Sequence, residues 1–249
     1  TFPTVASNCA ACTAIAVIYN ADGTFKEYFY PKCPSYHTFI NTRIIADSPD
    51  SLLWAGIGDA LSKEYEVLFA TRAEELFHTT LLGSQLSKAC TAPLIDFGAK
   101  ALEDCKANKA SYELEQVALD IIISTGIVSN LTSGGEKYYY NSSLGHAFYY
   151  GSTVIPKAEK HLHGEVVSFG VLCLLTYDNQ LEERERIMKF HKTIGLPTCL
   201  ADMEITEEDI PAIVEKASTV REWTCVPYAT DKDKFAKAIL ETDKVGKTF

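Results

Sequence analysis

The stretch GHAFYYG (residues 145–151) decides how this chain is organised, together with HLHGEVVSFG (residues 161–170) shortly after it. In each stretch a histidine opens a helix-like run that glycines flank, which is unusual in a chain with six histidines. A carboxylate that can join them lies far upstream, in GIGDAL (residues 56–61). We expect Asp59, His146 and His163 to meet around one divalent metal ion, with the helical part of the chain bringing them together.

The composition is that of an ordinary globular protein. The 249 residues are 47% hydrophobic and 22% charged, enough for one sizeable core or two modest ones. The net charge is -10 at pH 7, without any local run of lysine or arginine. Nucleic acids and anionic membranes attract basic surfaces, so we expect neither as a partner. We also find no apolar signal segment and no apolar run long enough to cross a bilayer.

The eight cysteines are scattered, and most have apolar neighbours, as Cys173 does in VLCLL (residues 171–175). We expect them to be reduced and buried, and the protein to be cytoplasmic. Cys9-Ala10-Ala11-Cys12 is an alternative redox or zinc site. A single CxxC with no second pair and no preceding βαβ pattern is a weak indication of such a site.

The first part of the chain has a β pattern, and the rest has a helical one. Apolar runs over 14–19 and 24–30, separated by a turn signal, predict a β-hairpin, and Thr38–Asn41 is another short strand candidate. From Ser48 onward apolar residues recur at helical spacing. We therefore expect a small β-containing piece, residues 1–45, and a large helical domain, residues 46–249. The predicted helices cover 50–70, 73–90, 94–107, 111–126, 141–157, 164–177, 180–193, 207–217 and 231–242.

Each candidate ligand has a more ordinary interpretation when it is taken alone. Asp59 alone would be a solvated or capping carboxylate, and the histidines would be hydrogen-bonded or helix-starting residues. Together, two neutral imidazoles and one carboxylate suit Zn²⁺, with a fourth position left for water or substrate. Such a metal ion lowers the pKa of an alcohol and favours departure of hydride from its carbon. The same ligands can hold Fe(II), although non-haem iron oxygenases normally place them on a β-scaffold.

These motifs resemble those of a known family. GIGDAL (56–61), HAFYYG (146–151) and HGEVVSFG (163–170) are similar to the metal-binding motifs of glycerol dehydrogenases, in the iron-containing alcohol dehydrogenase superfamily. PTVAS (3–7) and the run over 14–19 resemble the segment just before that family's domain boundary. The resemblance implies a mainly α structure: the C-terminal helical bundle of the dehydroquinate synthase-like, two-domain α/β fold. The β-hairpin is then a remnant of the nucleotide-binding domain.

The resemblance also implies cofactors and partners. Family members are NAD-dependent metalloenzymes with the active site between two domains, and they act on small-molecule alcohols or carbonyl compounds. Zinc is favoured over iron, because the iron-preferring branch has a histidine where this chain has Lys63. A homo-oligomer is expected. By resemblance, residues close to NAD are Thr4 and Ser7, with Thr13, Ile15 and Tyr19 near its nicotinamide end.

Two substitutions distinguish the expected substrate pocket from that of the family. Cys9 stands where glycerol dehydrogenases have an aspartate that contacts the polyol, and a thiol cannot accept two hydroxyl hydrogen bonds as a carboxylate does. Tyr149 stands where a histidine is usual. Both changes make the pocket less charged, so we expect weak or no glycerol oxidation and a larger or less polar substrate.

A third departure concerns the nucleotide. The family's glycine-rich phosphate loop precedes the segment with which this sequence starts, and Ser133-Gly134-Gly135-Glu136 follows a helical stretch rather than a strand. The 249-residue chain is therefore expected to bind metal without oxidising alcohols by itself. The alternative is a non-catalytic metal-binding or assembly domain derived from such an enzyme.

Overall fold

A computed structural model describes residues 1–21, 25–72, 74–134 and 138–249, with the backbone alone at Val17, Tyr19, Phe25 and Tyr28. The protein is mainly α-helical, as the sequence predicts. Two strands lie near the N-terminus, β1 (Ala16–Tyr19) and β2 (Phe25–Phe29). The helices that follow are α1 (Thr42–Ala46), α2 (Asp50–Ala60), α3 (Ser62–Thr71), α4 (His78–Ser87), α5 (Ala92–Lys106), α6 (Tyr112–Leu119), α7 (Thr125–Thr132), α8 (Leu144–Ser152), α9 (His163–Tyr177), α10 (Leu181–Ile194), α11 (Ile210–Ala217), α12 (Arg221–Thr224) and α13 (Lys232–Gly246).

The predicted hairpin is confirmed. The strands β1 and β2 pair antiparallel, with Ala16 opposite Phe29 and Ile18 opposite Glu27. The register is interrupted between Ile18 and Tyr19. Of the predicted turn, residues 22–24 lie outside the described residues.

The prediction of a strand at Thr38–Asn41 is wrong, because these residues form no strand. This segment contacts the N-terminal residues instead of a strand: the ring of Phe39 stacks on Phe2 at 4.9 Å between centroids, and its N–H donates to the carbonyl of Thr1. The side chain of Asn41 accepts a hydrogen bond from the backbone N–H of Arg43 and caps α1. The segment has strand-like residues but no partner strand. It ends at Asn41, which is a good N-cap residue and begins α1.

The helix α9 is the centre of the bundle. Nearly all of its side chains are buried, and it packs against α2, α3, α8, α10 and α13. Its first turn contacts α2 so closely that a Cβ at Gly164 would lie 1.8 Å from the carbonyl oxygen of Ala55. Further along, a Cβ at Gly170 would lie 2.3 Å from the carbonyl oxygen of Gly145 in α8. Glycines therefore bring α2 and α8 into backbone contact with the central helix.

The helix predicted over 111–126 continues beyond Gly126. A five-residue π-helical segment, Asp120–Ser124, joins α6 to α7, so that one helix covers Tyr112–Thr132. A Cβ at Gly126 would lie 3.1 Å from the Cβ of Cys12, so the glycine gives room to the N-terminal segment instead of ending the helix. Other predicted helices differ in their ends: the one over 50–70 divides into α2 and α3, and α8 is shorter than 141–157.

The long helix Tyr112–Thr132 corrects the expectation that no apolar run is long enough to cross a bilayer. By length and composition it is apolar enough to cross a membrane, with a mean hydropathy of 1.3 over its most apolar window. Of that window, 56% is buried inside the protein, as expected of a core helix. It also contains Glu113, Glu115 and Asp120.

Candidate metal centre

Three helices bring the predicted ligands together. Asp59 lies in the last turn of α2, His146 in the first turn of α8, and His163 is the first residue of α9. The Oδ1 atom of Asp59 is 3.5 Å from Nε2 of His146 and 3.2 Å from Nε2 of His163. The fold thus brings potential ligand atoms of three residues that are far apart in the sequence within a few ångströms of one another.

The donor set and the space between the ligand atoms fit a divalent cation. One ligand atom from each side chain lies within 4.8 Å of the others. The Oδ1 atom of Asp59 is buried and has no hydrogen-bond partner among the described residues, so its charge is satisfied by nothing but the two imidazoles. The side chain of His163 is 41% exposed and that of His146 only 14%, which leaves one side of the cluster open. The arrangement suits a three-ligand zinc site with an open fourth position.

The electrostatics of the cluster depend on its burial and its charges. Burial by itself would raise the pKa of Asp59, but His163 and His146 lower that pKa well below its usual range. Burial would lower the pKa of His146, whereas Glu66 and Asp59 raise that pKa well above its usual value. The site therefore favours positive charge between its carboxylates, as a cation site does.

Glu66 is a further residue of the centre that the sequence analysis missed. Its side chain is fully buried in α3, and its Oε2 lies 2.5 Å from Nδ1 of His146. Burial opposes ionisation, yet the contacts with His146 and its backbone lower the pKa of Glu66. Asp59 and Glu66 are seven residues apart, two turns of the helix predicted over 50–70, so periodicity puts both on one face without indicating that Glu66 is buried.

Lys63 is hydrogen-bonded to Asn141 and is not one of the candidate ligands. Its buried ammonium group donates to the side-chain oxygen of Asn141 at 2.7 Å and to the backbone oxygen of the same residue at 3.2 Å. Asn141 also accepts a hydrogen bond from Thr132 at 3.3 Å. Lys63 thus anchors the segment that leads into α8.

Of the two residues predicted for the substrate pocket, Tyr149 contacts the centre: its ring meets His163 edge to face, with 4.2 Å between centroids. Cys9 lies against α7, where its Cβ would be 3.4 Å from a Cβ at Gly126. Burial raises the pKa of the Cys9 thiol, with the charge of Lys63 opposing this shift and that of Asp59 adding to it.

The residues predicted to approach NAD lie along the N-terminal segment. Ser7 lies against α2: its Cα would be 2.9 Å from a Cβ at Gly56. Thr4 is exposed, Thr13 is buried, and Ile15 is half-buried just before β1. Within the described residues, no hydrogen bond joins these side chains to the three candidate ligands, and the side chain of Tyr19 lies outside the described part.

The CxxC alternative finds no support in the geometry. In the described part of the chain, the only cluster of three potential metal ligands is Asp59, His146 and His163. All eight cysteines are free. Four of them are buried as predicted, whereas Cys33 and Cys225 are exposed and Cys9 and Cys12 are half-buried.

Comparison with known proteins decides the family. The chain is 33% identical over 261 residues to glycerol dehydrogenase from Escherichia coli, covering 99% of this chain and 68% of that protein. The chain belongs to the glycerol dehydrogenase family. This membership confirms the family resemblance predicted from the sequence. The chain is also 32% identical over 204 residues to hydroxycarboxylate dehydrogenase A from Escherichia coli, of which it covers 55%.

Solved structures show the same fold for this family member. A probable glycerol dehydrogenase from Sinorhizobium meliloti superimposes with a TM-score of 0.84 at 27% identity, over all of this chain and 70% of the other. An iron-containing alcohol dehydrogenase from Thermotoga maritima, at 18% identity, shares the fold with a TM-score of 0.68. The chain thus has the helical architecture of the iron-containing alcohol dehydrogenases. No protein-family model matches it.

Proposed function

We propose that the protein is a metal-dependent, NAD-linked oxidoreductase that transfers hydride between an alcohol and NAD. The observation that carries this proposal is the convergence of Asp59, His146 and His163 in a chain of the glycerol dehydrogenase family. These three residues would hold the metal ion. When bound, the ion would act as a Lewis acid that lowers the pKa of the alcohol.

Zinc is the proposed metal, with iron as the alternative. One carboxylate and two imidazoles match the ligand types of a catalytic zinc site. The fourth protein ligand of an iron site would have to come from the helical turn after Asp59. Lys63 occupies that position, and its ammonium group, which has no lone pair, is bonded to Asn141.

The N-terminal segment is the proposed NAD side of the site. Ser7 lies against Gly56, in the helix that carries Asp59, and this contact supports placing the cofactor on this side. We assign Thr13, Ile15 and Tyr19 to the nicotinamide end of the cofactor on the basis of the family resemblance. Several relatives are named as dehydrogenases or reductases, which agrees with a redox cofactor.

The proposed substrate is a small-molecule alcohol or carbonyl compound that is less polar than glycerol. The thiol of Cys9 and the ring of Tyr149 offer weaker hydrogen-bonding groups than a carboxylate and an imidazole. Relatives named for other substrates agree with a substrate other than glycerol, although they do not indicate its polarity. One is a hydroxycarboxylate dehydrogenase, and another, 24% identical, is a glycolaldehyde reductase from Halobacterium salinarum.

The test uses cobalt as a visible probe of the centre. The protein is loaded with Co²⁺ in place of zinc, and glycerol, 1,2-propanediol, 2-butanol and lactate are added in turn while the visible spectrum is followed. We expect a saturable shift of the cobalt bands with one of the less polar alcohols at lower concentration than with glycerol. Cobalt bands that no alcohol changes would contradict the proposal. Bands that change most readily with glycerol would contradict the substrate assignment.

A non-catalytic metal-binding or assembly domain is the second candidate function. Cys9, at the position where glycerol dehydrogenases have an aspartate, favours it. NAD titration of the zinc-loaded chain separates the two, with NADH formation measured alongside. Saturable NADH formation would support the oxidoreductase, and metal binding without any NADH formation would support the metal-binding domain.

We also propose that the protein is cytoplasmic and forms a homo-oligomer. The free state of all eight cysteines agrees with a reducing compartment. Exposed apolar side chains on the β piece, including Phe29 at 57%, and on α4, including Leu81 at 46%, offer surface for self-association. Light scattering after gel filtration measures the mass, and a monomer at micromolar concentration would contradict the oligomer.

A further inference from the structure

Glu66 is a fully buried carboxylate, and both of its oxygens bond to the segment that carries His146. Oε2 lies 2.5 Å from Nδ1 of the His146 ring. Oε1 accepts hydrogen bonds from the backbone N–H groups of Ser143 at 2.7 Å and His146 at 2.9 Å. A buried carboxylate is costly unless each oxygen has a donor, so these contacts satisfy Glu66 and orient the start of α8 at the same time.

The contact also determines which nitrogen of His146 is free. An ionised carboxylate only accepts hydrogen bonds, so the ring must carry its proton on Nδ1 to bond to Glu66. A neutral imidazole has one N–H and one lone pair, and the lone pair is then on Nε2. Nε2 is the atom that lies 3.5 Å from Oδ1 of Asp59. In the neutral form that a metal ion requires, the ring of His146 is therefore fixed between two carboxylates, with its lone pair on the side of the candidate ligands.

The backbone around His146 is built to accept this carboxylate. A Cβ at Gly145 would lie 3.0 Å from Oε1 of Glu66, which is closer than nearly all real contacts of this kind. The same helix pair, α2 and α3, carries Asp59 and Glu66, so one rigid unit supplies a ligand and the group that orients the next ligand. Lys63 on α3 holds the same segment through Asn141.

We propose that Glu66 is a positioning residue of the metal centre: it accepts a hydrogen bond from Nδ1 of His146 and so keeps Nε2 available for a divalent cation beside Asp59. This inference rests on the proposed metal-binding function. Mutation of a carboxylate that orients a metal-bound histidine in this way typically lowers the metal affinity by about 10- to 100-fold.

The variant Glu66→Gln separates this role from that of a helix cap. The amide oxygen of glutamine can still accept the two backbone hydrogen bonds that begin α8. Its NH₂ group then faces Nδ1 and donates, which favours the ring with its proton on Nε2, where a metal must bind. The variant thus keeps the two hydrogen bonds that cap α8, but it moves the lone pair of the His146 ring from Nε2 to Nδ1.

Glu222→Gln is the matched control. Glu222 is also a buried glutamate, and its Oε1 accepts a hydrogen bond from Ser142 at 3.2 Å, in the segment next to Ser143. It has no hydrogen bond with the His146 ring among the described residues. Both variants exchange a buried carboxyl group for an amide near the start of α8, and only Glu66 is bonded to the His146 ring. Burial raises the pKa of Glu222, which His146 affects only through its charge.

The experiment measures the affinity of Zn²⁺ alone, by competition with a chromophoric chelator, for metal-free wild type and both variants. Circular dichroism and thermal unfolding without metal show whether each variant is folded. We expect Glu66→Gln to be folded and to bind zinc about 10- to 100-fold more weakly, with Glu222→Gln within about threefold of wild type. Equal zinc affinity in wild type and Glu66→Gln would overturn the inference.

Nitrogen NMR of zinc-loaded wild type provides a second test that does not depend on any variant folding. We expect a proton on Nδ1 of His146 that exchanges slowly with water, and none on Nε2. Zinc-loaded protein with Nδ1 bound to the metal or without its proton would overturn the inference. Wild type that binds no zinc would instead contradict the proposed function on which the inference rests.

Discussion

Gly58 and Gly164 meet at the crossing of α2 and α9, one residue away from Asp59 and His163 respectively. A Cβ at Gly58 would lie 2.4 Å from the carbonyl oxygen of Gly164, and 3.2 Å from the Cβ of Ser168. Backbone atoms are on the other side of this contact, so no flexible side chain can move away. The distance between Asp59 and His163 therefore depends on having glycine at positions 58 and 164, since a side chain at either position would push α2 and α9 apart.

Gly58→Ala is expected to lower stability and zinc affinity together. Alanine favours a helix over glycine by about 1 kcal/mol, but forcing α2 away from α9 costs about 1–3 kcal/mol or more. The net loss should lower the melting temperature by about 2–4 °C for each kcal/mol in a chain of this size. Gly134→Ala is the control, because no atom lies within 4 Å of a Cβ there. Equal melting temperatures for the two variants would show that the crossing tolerates a methyl group.

His191 is expected to make the fold sensitive to acid. It is completely buried in α10, its Nδ1 lies 2.8 Å from the carbonyl oxygen of Pro197, and its Nε2 has no partner among the described residues. Burial lowers the pKa of His191 to about 4, with the bond to Pro197 opposing that shift. The unfolded chain therefore takes up this proton at a higher pH than the folded chain does. Stability is lost as the pH falls from about 6.5 to 4, by about 2 kcal/mol between pH 7 and pH 5.

His191→Asn keeps a hydrogen-bond donor near Pro197 and removes this titration. We expect the free energy of unfolding in urea to fall less between pH 7 and pH 5 in this variant than in wild type, whatever its absolute stability. His78→Asn, at an exposed position, is the control. A variant whose stability falls as steeply as that of wild type would show that His191 is not the group responsible.

Asp120 is expected to stabilise the fold at low pH, which is the opposite of the effect of His191. It is buried in the π-helical segment, and neither of its carboxylate oxygens has a hydrogen-bond partner in the described part of the chain. Burial raises the pKa of Asp120 to about 7, against a smaller opposing effect of Ser124. The folded chain holds this proton where the unfolded chain has lost it, so its stabilising contribution is present below about pH 4 and is lost as the pH rises to 7.

Asp120→Asn should therefore be more stable than wild type in alkaline solution. Relative to wild type, we expect the variant to gain on the order of 3 kcal/mol between pH 4 and pH 8 in urea unfolding. The exposed Asp96→Asn serves as the control. No gain with rising pH would mean that Asp120 is paired in solution.

The three candidate ligands could be proposed from sequence mainly because their motifs resemble those of the glycerol dehydrogenases, since each residue alone has a more ordinary interpretation. Glycines next to Asp59 and His163 added the expectation that helices approach closely there. Glu66 was missed because SKEYE (residues 62–66) has the charge pattern of any solvated helix. Its burial arises from the packing of α3 against α8 and α9, which a local pattern does not contain.

The errors in the fold have similar causes. Thr38–Asn41 has strand-like residues, but strand pairing needs a partner, and Phe39 packs on Phe2 instead. The helix predicted to stop at Gly126 continues, because this glycine accommodates Cys12 from another part of the chain. In both cases a tertiary contact overrides a local propensity.

The most direct test of the account is a zinc titration of the metal-free chain, by calorimetry and elemental analysis. We expect one zinc ion per chain, and a loss of affinity of at least about 100-fold in Asp59→Asn, since a buried ligand charge is removed. The control Asp47→Asn changes an exposed carboxylate that pairs with Arg43, and it should bind zinc as wild type does. A chain that binds no zinc, or binds it equally well with and without the Asp59 carboxylate, would contradict the account.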